Sequence, residues 1–164
     1  MELLGTRLRH LLDLLDGDVA AVYADLGLAG FRPRYTPVVR LLAADGPRAI
    51  RDIAAATGVT HSAASQTVAQ MVKDGLAVLA PDPADARRRV ARLTPEAEAL
   101  LPVLDAEWTA TAAAAAALEA ELPYPLGRLI DETLAALSRR PMRDRIADAL
   151  PPGAGSQGAL PPEA

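Results

Sequence analysis

The spacing of apolar residues along the chain predicts a mainly helical protein. Leucines and valines recur every three or four positions from Leu3 to Leu26, and this period is typical of an amphipathic helix. Thr36-Pro37 combines a hydroxyl that can cap a helix with a proline that the first turn tolerates. We therefore expect a second helix that begins there and stops at Asp45-Gly46-Pro47.

The next stretch predicts a helix-turn-helix followed by a β-hairpin. Two short helices, about residues 50–57 and 60–74, are separated by a turn that contains Gly58. The helical period is then lost, because residues 76–80 and 89–93 are short β-capable stretches on either side of a tip rich in proline and aspartate. We call this hairpin the wing.

Helical periodicity returns after the wing. Thr94-Pro95-Glu96 repeats the pattern of a hydroxyl cap and a proline, and a long helix is expected from there to about Leu122, with Pro102 inside it. A final amphipathic helix should begin near Leu126, followed by a short arm over residues 141–150. The predicted fold class is mainly α with a small β-hairpin wing, which is a winged helix-turn-helix with helical extensions at both ends.

Charge is distributed unevenly along the chain. The 164 residues carry a net charge of −4, and the sequence pI is about 5.2, which on its own points away from nucleic acid. Residues 31–95 nevertheless hold ten Arg or Lys against five Asp, whereas residues 1–30 hold two against five acids and residues 96–164 five against eleven. A basic middle between acidic flanks indicates a local electrostatic footprint for an anionic partner.

Composition excludes several classes of chemistry. The chain has no Cys and only two His, which rules out disulfides, thiolate catalysis and a cysteine or histidine metal cluster. No hydrolase-like triad is spaced recognisably, so we expect no enzyme, no cofactor and no metal. The longest apolar run, Ala110 to Leu118, is too short to span a bilayer, and no signal sequence stands out. We therefore expect a cytoplasmic protein without a membrane partner, whose tail at residues 151–164 is disordered.

The second helix of the helix-turn-helix has the residue types of a DNA-reading helix. Short polar side chains there can reach base edges in the major groove, and small methyl groups can meet thymine. The candidates for contact are Thr60, His61, Ser62, Ala63, Ser65, Gln66, Thr67, Gln70 and Lys73. Thr60 can equally act only as the helix cap. The wing adds Arg87, Arg88 and Arg89, and a narrow minor groove attracts arginine.

At this point the chain resembles the MarR family of transcriptional regulators over roughly residues 1–140. The family's wing signature, D-x-R followed after five residues by L-T, is present from Asp85-Ala86-Arg87 to Leu93-Thr94. The segment Gly58 to Gln66 is similar to the family's entry into the recognition helix, and Gly75-Leu76 to its exit. The resemblance implies that Arg87 enters the minor groove and that Asp85 holds it by a salt bridge.

The resemblance also implies a homodimer and a small-molecule effector. It suggests an N-terminal dimerisation helix (1–30), a DNA-binding lobe (31–95) and C-terminal dimerisation helices (96–150). An effector pocket would lie between the dimerisation helices and the DNA-binding lobe. Its candidate residues, each alternatively a core or interface residue, are His10, Tyr23, Phe31, Tyr35 and Trp108. Because Cys is absent, the thiol-oxidation branch of the family does not apply.

The spacing of the aromatic residues, together with Arg139-Arg140-Pro141, resembles the regulator half of MarR–acetyltransferase fusions, and no acetyltransferase half is expected here. The family resemblance implies a homodimeric, ligand-responsive repressor that binds double-stranded DNA at a pseudo-palindromic operator. The alternative is a winged-helix module that binds protein and not DNA. Salt-dependent binding to a palindromic site distinguishes the two.

Overall fold

The structure, a computed structural model, describes residues 3–82 and 88–151. In chain order its elements are α1 (Leu4–Asp25), a 3-10 turn (Pro33–Tyr35), α2 (Thr36–Asp45), α3 (Ile50–Thr57), α4 (His61–Lys73), β1 (Ala77–Pro81), β2 (Arg89–Leu93), α5 (Pro95–Ala120), α6 (Leu126–Arg139) and α7 (Met142–Ala149). The predicted fold class is confirmed. The described residues form two compact units that divide between Thr111 and Ala112, and α5 runs across the division.

The core of the first unit is built from one face of each helix. Val39 of α2, Ile53 of α3, Val68 and Met71 of α4, and Leu104 of α5 are each at most 1% exposed. Burying an aliphatic side chain of this size contributes about 1.5–3 kcal/mol to folding. These side chains therefore fix how the helix-turn-helix packs on α2 and α5.

Local sequence signals place the ends of α3 and α4. Gly58 follows α3 with a φ of 69°, a left-handed conformation that favours glycine. The hydroxyl of Thr60 then accepts a hydrogen bond from the Ala63 N–H, at 3.2 Å, and α4 begins at His61. Gly75, with a φ of 76°, follows α4 and leads into the wing. The helix-turn-helix thus forms where the sequence predicts it.

The wing is an antiparallel pair of strands with a third segment bonded to its edge. β1 and β2 pair in a register that runs from Ala77 opposite Leu93 to Pro81 opposite Arg89. On the other side of β2, Arg48 and Ala91 exchange two backbone hydrogen bonds of 3.0 and 2.8 Å. The residues just before α3 are therefore tied to the base of the wing. The predicted salt-bridge partners at the wing tip, Asp85 and Arg87, lie outside the described residues.

Three local predictions have different outcomes. Thr94 caps α5 as predicted, since its hydroxyl accepts from the Ala97 N–H at 3.1 Å. Thr36 does not cap α2, so that prediction was wrong: the 3-10 turn leads directly into the helix, and the Thr36 hydroxyl lies 3.0 Å from that of Tyr23. The segment expected to be an arm forms α7.

Neither a membrane span nor a metal cluster is found within residues 3–82 and 88–151. None of the helices there combines the length and the apolar character needed to cross a bilayer. Within the same residues, no group of three or more His, Cys, Asp or Glu side chains is placed to hold a metal ion.

Candidate nucleic-acid interface

The recognition helix α4 presents the polar face that the sequence predicts. Ala64, Val68 and Met71 face the core, and the candidate contact residues alternate around them. Exposed members of the set are Thr60, His61, Ser62, Ala63, Gln66 and Lys73, and half-buried members are Ser65, Thr67 and Gln70. The exposed positions concentrate at the N-terminal half of α4, the half that contacts base edges in helix-turn-helix proteins.

Two of the candidate side chains already make hydrogen bonds within the fold. The Thr60 hydroxyl is the cap of α4. The Gln70 amide donates to Asp74 Oδ1 at 2.9 Å, one turn further along. A DNA contact by either side chain must therefore coexist with, or replace, a hydrogen bond that already stabilises the helix.

Both candidate wing arginines that the structure describes, Arg88 and Arg89, are held by contacts within the fold. Arg88 Nη2 lies 3.2 Å from Asp52 Oδ2 of α3, and Arg89 Nη2 donates to the Leu79 carbonyl at 2.7 Å. The Arg88 and Asp52 side chains are 41% and 44% exposed, so water screens their ion pair and it contributes at most about 1 kcal/mol. The pair orients the guanidinium more than it stabilises the fold. Arg87 lies outside the described residues.

A basic cavity joins the recognition helix to the wing. It has a volume of about 360 Å³ and is lined by Ala49, Ile50, Arg51, His61, Arg88 and Arg89. Three of these were predicted from sequence, and Arg51 was not. The one local signal for Arg51 is its place in the first turn of a helix, where a cation opposes the helix dipole, and its position beside the wing has no local signal. We call this cavity the basic cleft.

Four of the five candidate effector residues lie together in the core of the first unit. The rings of Tyr23 and Phe31 meet edge to face with centroids 4.9 Å apart, and those of Phe31 and Tyr35 are 5.8 Å apart. Trp108 Nε1 donates to the Tyr23 hydroxyl at 3.2 Å. His10 is exposed on α1 and does not join them. We call Tyr23, Phe31, Tyr35 and Trp108 the aromatic cluster; that it binds an effector stays a prediction.

A buried carboxylate lies beside this cluster. Glu107 is 4% exposed, and its Oε2 has no hydrogen-bond partner among the described residues. Its Oε1 accepts from the Thr111 hydroxyl. Burial, opposed by the hydrogen bond with Thr36 and reinforced by the nearby Glu107, raises the pKa of Tyr23. The Tyr23 hydroxyl is already engaged by Trp108 and Thr36.

Asp74 connects the aromatic cluster to the end of α4. The Tyr35 hydroxyl donates to Asp74 Oδ2 at 2.6 Å, while Gln70 occupies Oδ1. The hydrogen bonds from Tyr35 and then Gln70, with a smaller contribution from the positive charge of Arg32, lower the pKa of Asp74. Asp74 also lines a cavity of about 220 Å³ together with Gly27, Leu28, Gly30, Phe31, Leu76 and Leu100.

A helix-turn-helix followed by a two-stranded wing that carries arginines defines a winged helix-turn-helix protein. Residues 29–88 match the model of the MarR family, and the resemblance read from the wing motif is confirmed. No curated protein matches the chain.

Solved structures of transcriptional regulators share the fold. A probable transcriptional regulator from Pseudomonas aeruginosa is 26% identical, with 81% of this chain and 95% of that chain covered and a TM-score of 0.53. BpsR from Bordetella bronchiseptica, whose DNA binding is regulated by 6-hydroxynicotinic acid, is 20% identical over 67% of this chain and 79% of its own, with a TM-score of 0.51. The repressor CouR, bound to a 23-mer DNA duplex, is 23% identical over 84% and 90%, with a TM-score of 0.53.

Proposed function

We propose that the protein is a homodimeric, sequence-specific DNA-binding transcriptional regulator, and that it acts as a ligand-responsive repressor at a pseudo-palindromic operator. The observation that carries this proposal is the basic cleft. It brings His61, at the start of an exposed polar helix, beside Arg88 and Arg89 of the wing. A reading helix and a basic wing on one rigid scaffold are the two elements with which winged helix proteins hold DNA.

Each element has a separate role in the proposal. The exposed N-terminal half of α4 enters the major groove, where Gln66 can pair with an adenine edge and Ser62 can bond a base or a phosphate. The arginines of the wing supply charge to the backbone and the minor groove. By the family resemblance, Arg87 is the residue at the tip that enters that groove. The net positive charge of residues 31–95 supplies the long-range attraction, although the whole chain is acidic.

Exposed apolar faces support the proposal of a homodimer. In the first unit, α1 carries five leucines that are 41–69% exposed: Leu4, Leu8, Leu12, Leu14 and Leu15. In the second unit, α6 exposes Leu129, Ile130, Leu134 and Leu137. Apolar faces of this extent on helices mark protein interfaces in soluble proteins. A second copy of the chain is the proposed occupant, because a two-fold dimer also presents two reading helices to a palindrome.

We further propose that the protein responds to a small molecule that binds near the aromatic cluster. The cluster supplies aromatic walls, the Tyr23 hydroxyl and the unpaired Glu107 oxygen. Tyr35 connects it through Asp74 to the C-terminal end of α4. A ligand that favours one arrangement of this connection shifts the population of DNA-competent protein. The DNA binding of BpsR, which shares the fold, is regulated by 6-hydroxynicotinic acid.

Selection of bound DNA from a random pool tests the proposal. The expected result is an inverted repeat with half-sites about one helical turn apart. Affinity for it should fall steeply with salt, and light scattering should give the mass of a dimer. Failure to enrich any sequence, together with binding that does not depend on salt, would instead support the protein-interaction module. A monomer by light scattering would overturn the dimer.

A further inference from the structure

We propose that the basic cleft binds one phosphate of the DNA backbone and that Arg51 is the main ligand of this phosphate. In the same proposal, Asp52 positions the arginines of the cleft. This inference rests on the proposed DNA-binding function and adds a defined contact to it. The cleft is formed by the start of α3, the first residue of α4, and Arg88 and Arg89 at the start of β2.

The groove geometry of DNA places a backbone at this point. The major and minor grooves of a duplex are separated by a sugar-phosphate strand. When α4 enters the major groove and the wing reaches the adjacent minor groove, that strand must cross between them. The basic cleft is the space between His61 of α4 and Arg88 and Arg89 of the wing. Its lining of three arginines and a histidine matches an anion.

The side chain of Arg51 is the one in the cleft best disposed to bind. It is 72% exposed, and its only described ion pair uses Nε, 3.2 Å from Asp52 Oδ1. A guanidinium has five donors in a planar fork that matches phosphate oxygens. The terminal donors of Arg51 therefore remain for a phosphate while Nε is held. Arg89, by comparison, already gives an Nη donor to the Leu79 carbonyl.

The Asp52 carboxylate holds two arginines from different elements. Its Oδ1 accepts from Arg51 of α3, and its Oδ2 pairs with Arg88 of the wing, both at 3.2 Å. One negative charge between two positive charges leaves the cleft positive, while it fixes the direction of both guanidiniums. Asp52 also links the wing to the helix-turn-helix. We therefore assign it a positioning role and no direct contact with DNA.

Neutral phosphates in the selected operator test the Arg51 contact. Each backbone phosphate is replaced in turn by a methylphosphonate, and binding is measured for the wild type and for Arg51→Gln, which removes the charge and keeps a shorter polar side chain. The wild type should lose about tenfold in affinity at one particular phosphate in each half-site. Arg51→Gln should bind about tenfold more weakly overall and lose nothing further at that phosphate. The slope of log affinity against log salt should fall by about 2 per dimer.

The matched control is Arg128→Gln, because Arg128 is 78% exposed on α6 and the substitution removes the same positive charge. It should leave both the phosphate profile and the salt slope as in the wild type. If Arg51→Gln loses affinity at that phosphate as the wild type does, the assignment of the cleft is overturned while DNA binding stands. If the wild type binds no selected DNA, the proposed function itself fails, and the inference fails with it.

Asp52→Asn tests the positioning role separately. Removal of a negative charge should raise the affinity for non-specific DNA. The ratio of specific to non-specific affinity should fall at least threefold, because Arg51 and Arg88 lose their fixed directions. An equal rise in both affinities would show that Asp52 acts only as a repulsive charge, and would overturn the positioning role.

Discussion

The single hydroxyl group of Tyr23 should contribute measurably to the free energy of unfolding of the first unit. Tyr23 is 1% exposed, and its oxygen accepts a hydrogen bond from Trp108 Nε1 and lies 3.0 Å from the Thr36 hydroxyl. Tyr23→Phe removes this one atom and keeps the ring. The substitution therefore tests the polar connection between α1, α2 and α5 without changing the aromatic packing.

The expected cost follows from what the mutation leaves unpaired. Trp108 is 9% exposed, so its N–H loses its partner in a site that water barely reaches, at about 1–3 kcal/mol. Thr36 is half-buried, and its hydroxyl can turn to water at little cost. We expect a loss of about 2 kcal/mol in the free energy of unfolding, which for a domain of this size lowers Tm by about 4–8 °C.

Urea unfolding measures this loss, at a fixed protein concentration because the stability of the proposed dimer would depend on concentration. Trp108 is the only tryptophan and reports unfolding of its own surroundings by fluorescence. Tyr124→Phe is the matched control, since that tyrosine is 69% exposed and should lose less than 0.5 kcal/mol. Equal stability of the two variants would refute the claim that the Trp108–Tyr23 hydrogen bond stabilises the core.

Three further predictions follow from described contacts. Asp74→Asn should lower stability at pH 7 and not at pH 2. Because the pKa of Asp74 is lowered in the folded protein, its contribution to the free energy of unfolding is present above the unfolded pKa of about 4 and is lost as the pH falls through the folded pKa. The difference between the two proteins in urea unfolding should therefore vanish in acid. Thr60→Ala should cost about 1 kcal/mol by the loss of the α4 cap, and Thr60→Ser should recover most of it; an equal loss in both would show that the methyl group, and not the hydroxyl, is responsible. Gln66→Ala should change the sequence preference in a selection experiment more than it changes non-specific affinity, and an unchanged motif would remove Gln66 from the reading face.

Sequence was sufficient where a local rule decides the structure. Gly58 ends α3 because its backbone is left-handed, and Thr60 and Thr94 cap the helices that follow them because their hydroxyls reach the third N–H. For the same reason, the helix-turn-helix and β2 lie where the pattern predicts, and β1 is displaced by one residue. The wing arginines were also identified by a local motif.

Contacts between distant segments could not be predicted in this way. The Thr36 hydroxyl has the sequence context of a cap, yet Tyr23, which is 13 residues away, takes it as a partner. Asp52 reaches Arg88 across 36 residues, and Tyr35 reaches Asp74 across 39. Such pairs depend on how packed helices orient their side chains, and a single sequence carries no periodic signal of that. Arg51 was missed because its role depends on the wing that it faces in space.

The pairing between Arg48 and Ala91 has a consequence for how DNA specificity can diverge. Both of its hydrogen bonds join backbone atoms, so the distance from the wing base to the helix-turn-helix does not depend on which side chains stand at either position. In the proposed function, side chains on α4 read the bases of the major groove and the wing contacts the minor groove. Substitutions on these elements can therefore change the preferred operator sequence, while the spacing between α4 and the wing stays the same. Proline at either position would remove one of the two hydrogen bonds, because it has no N–H to donate.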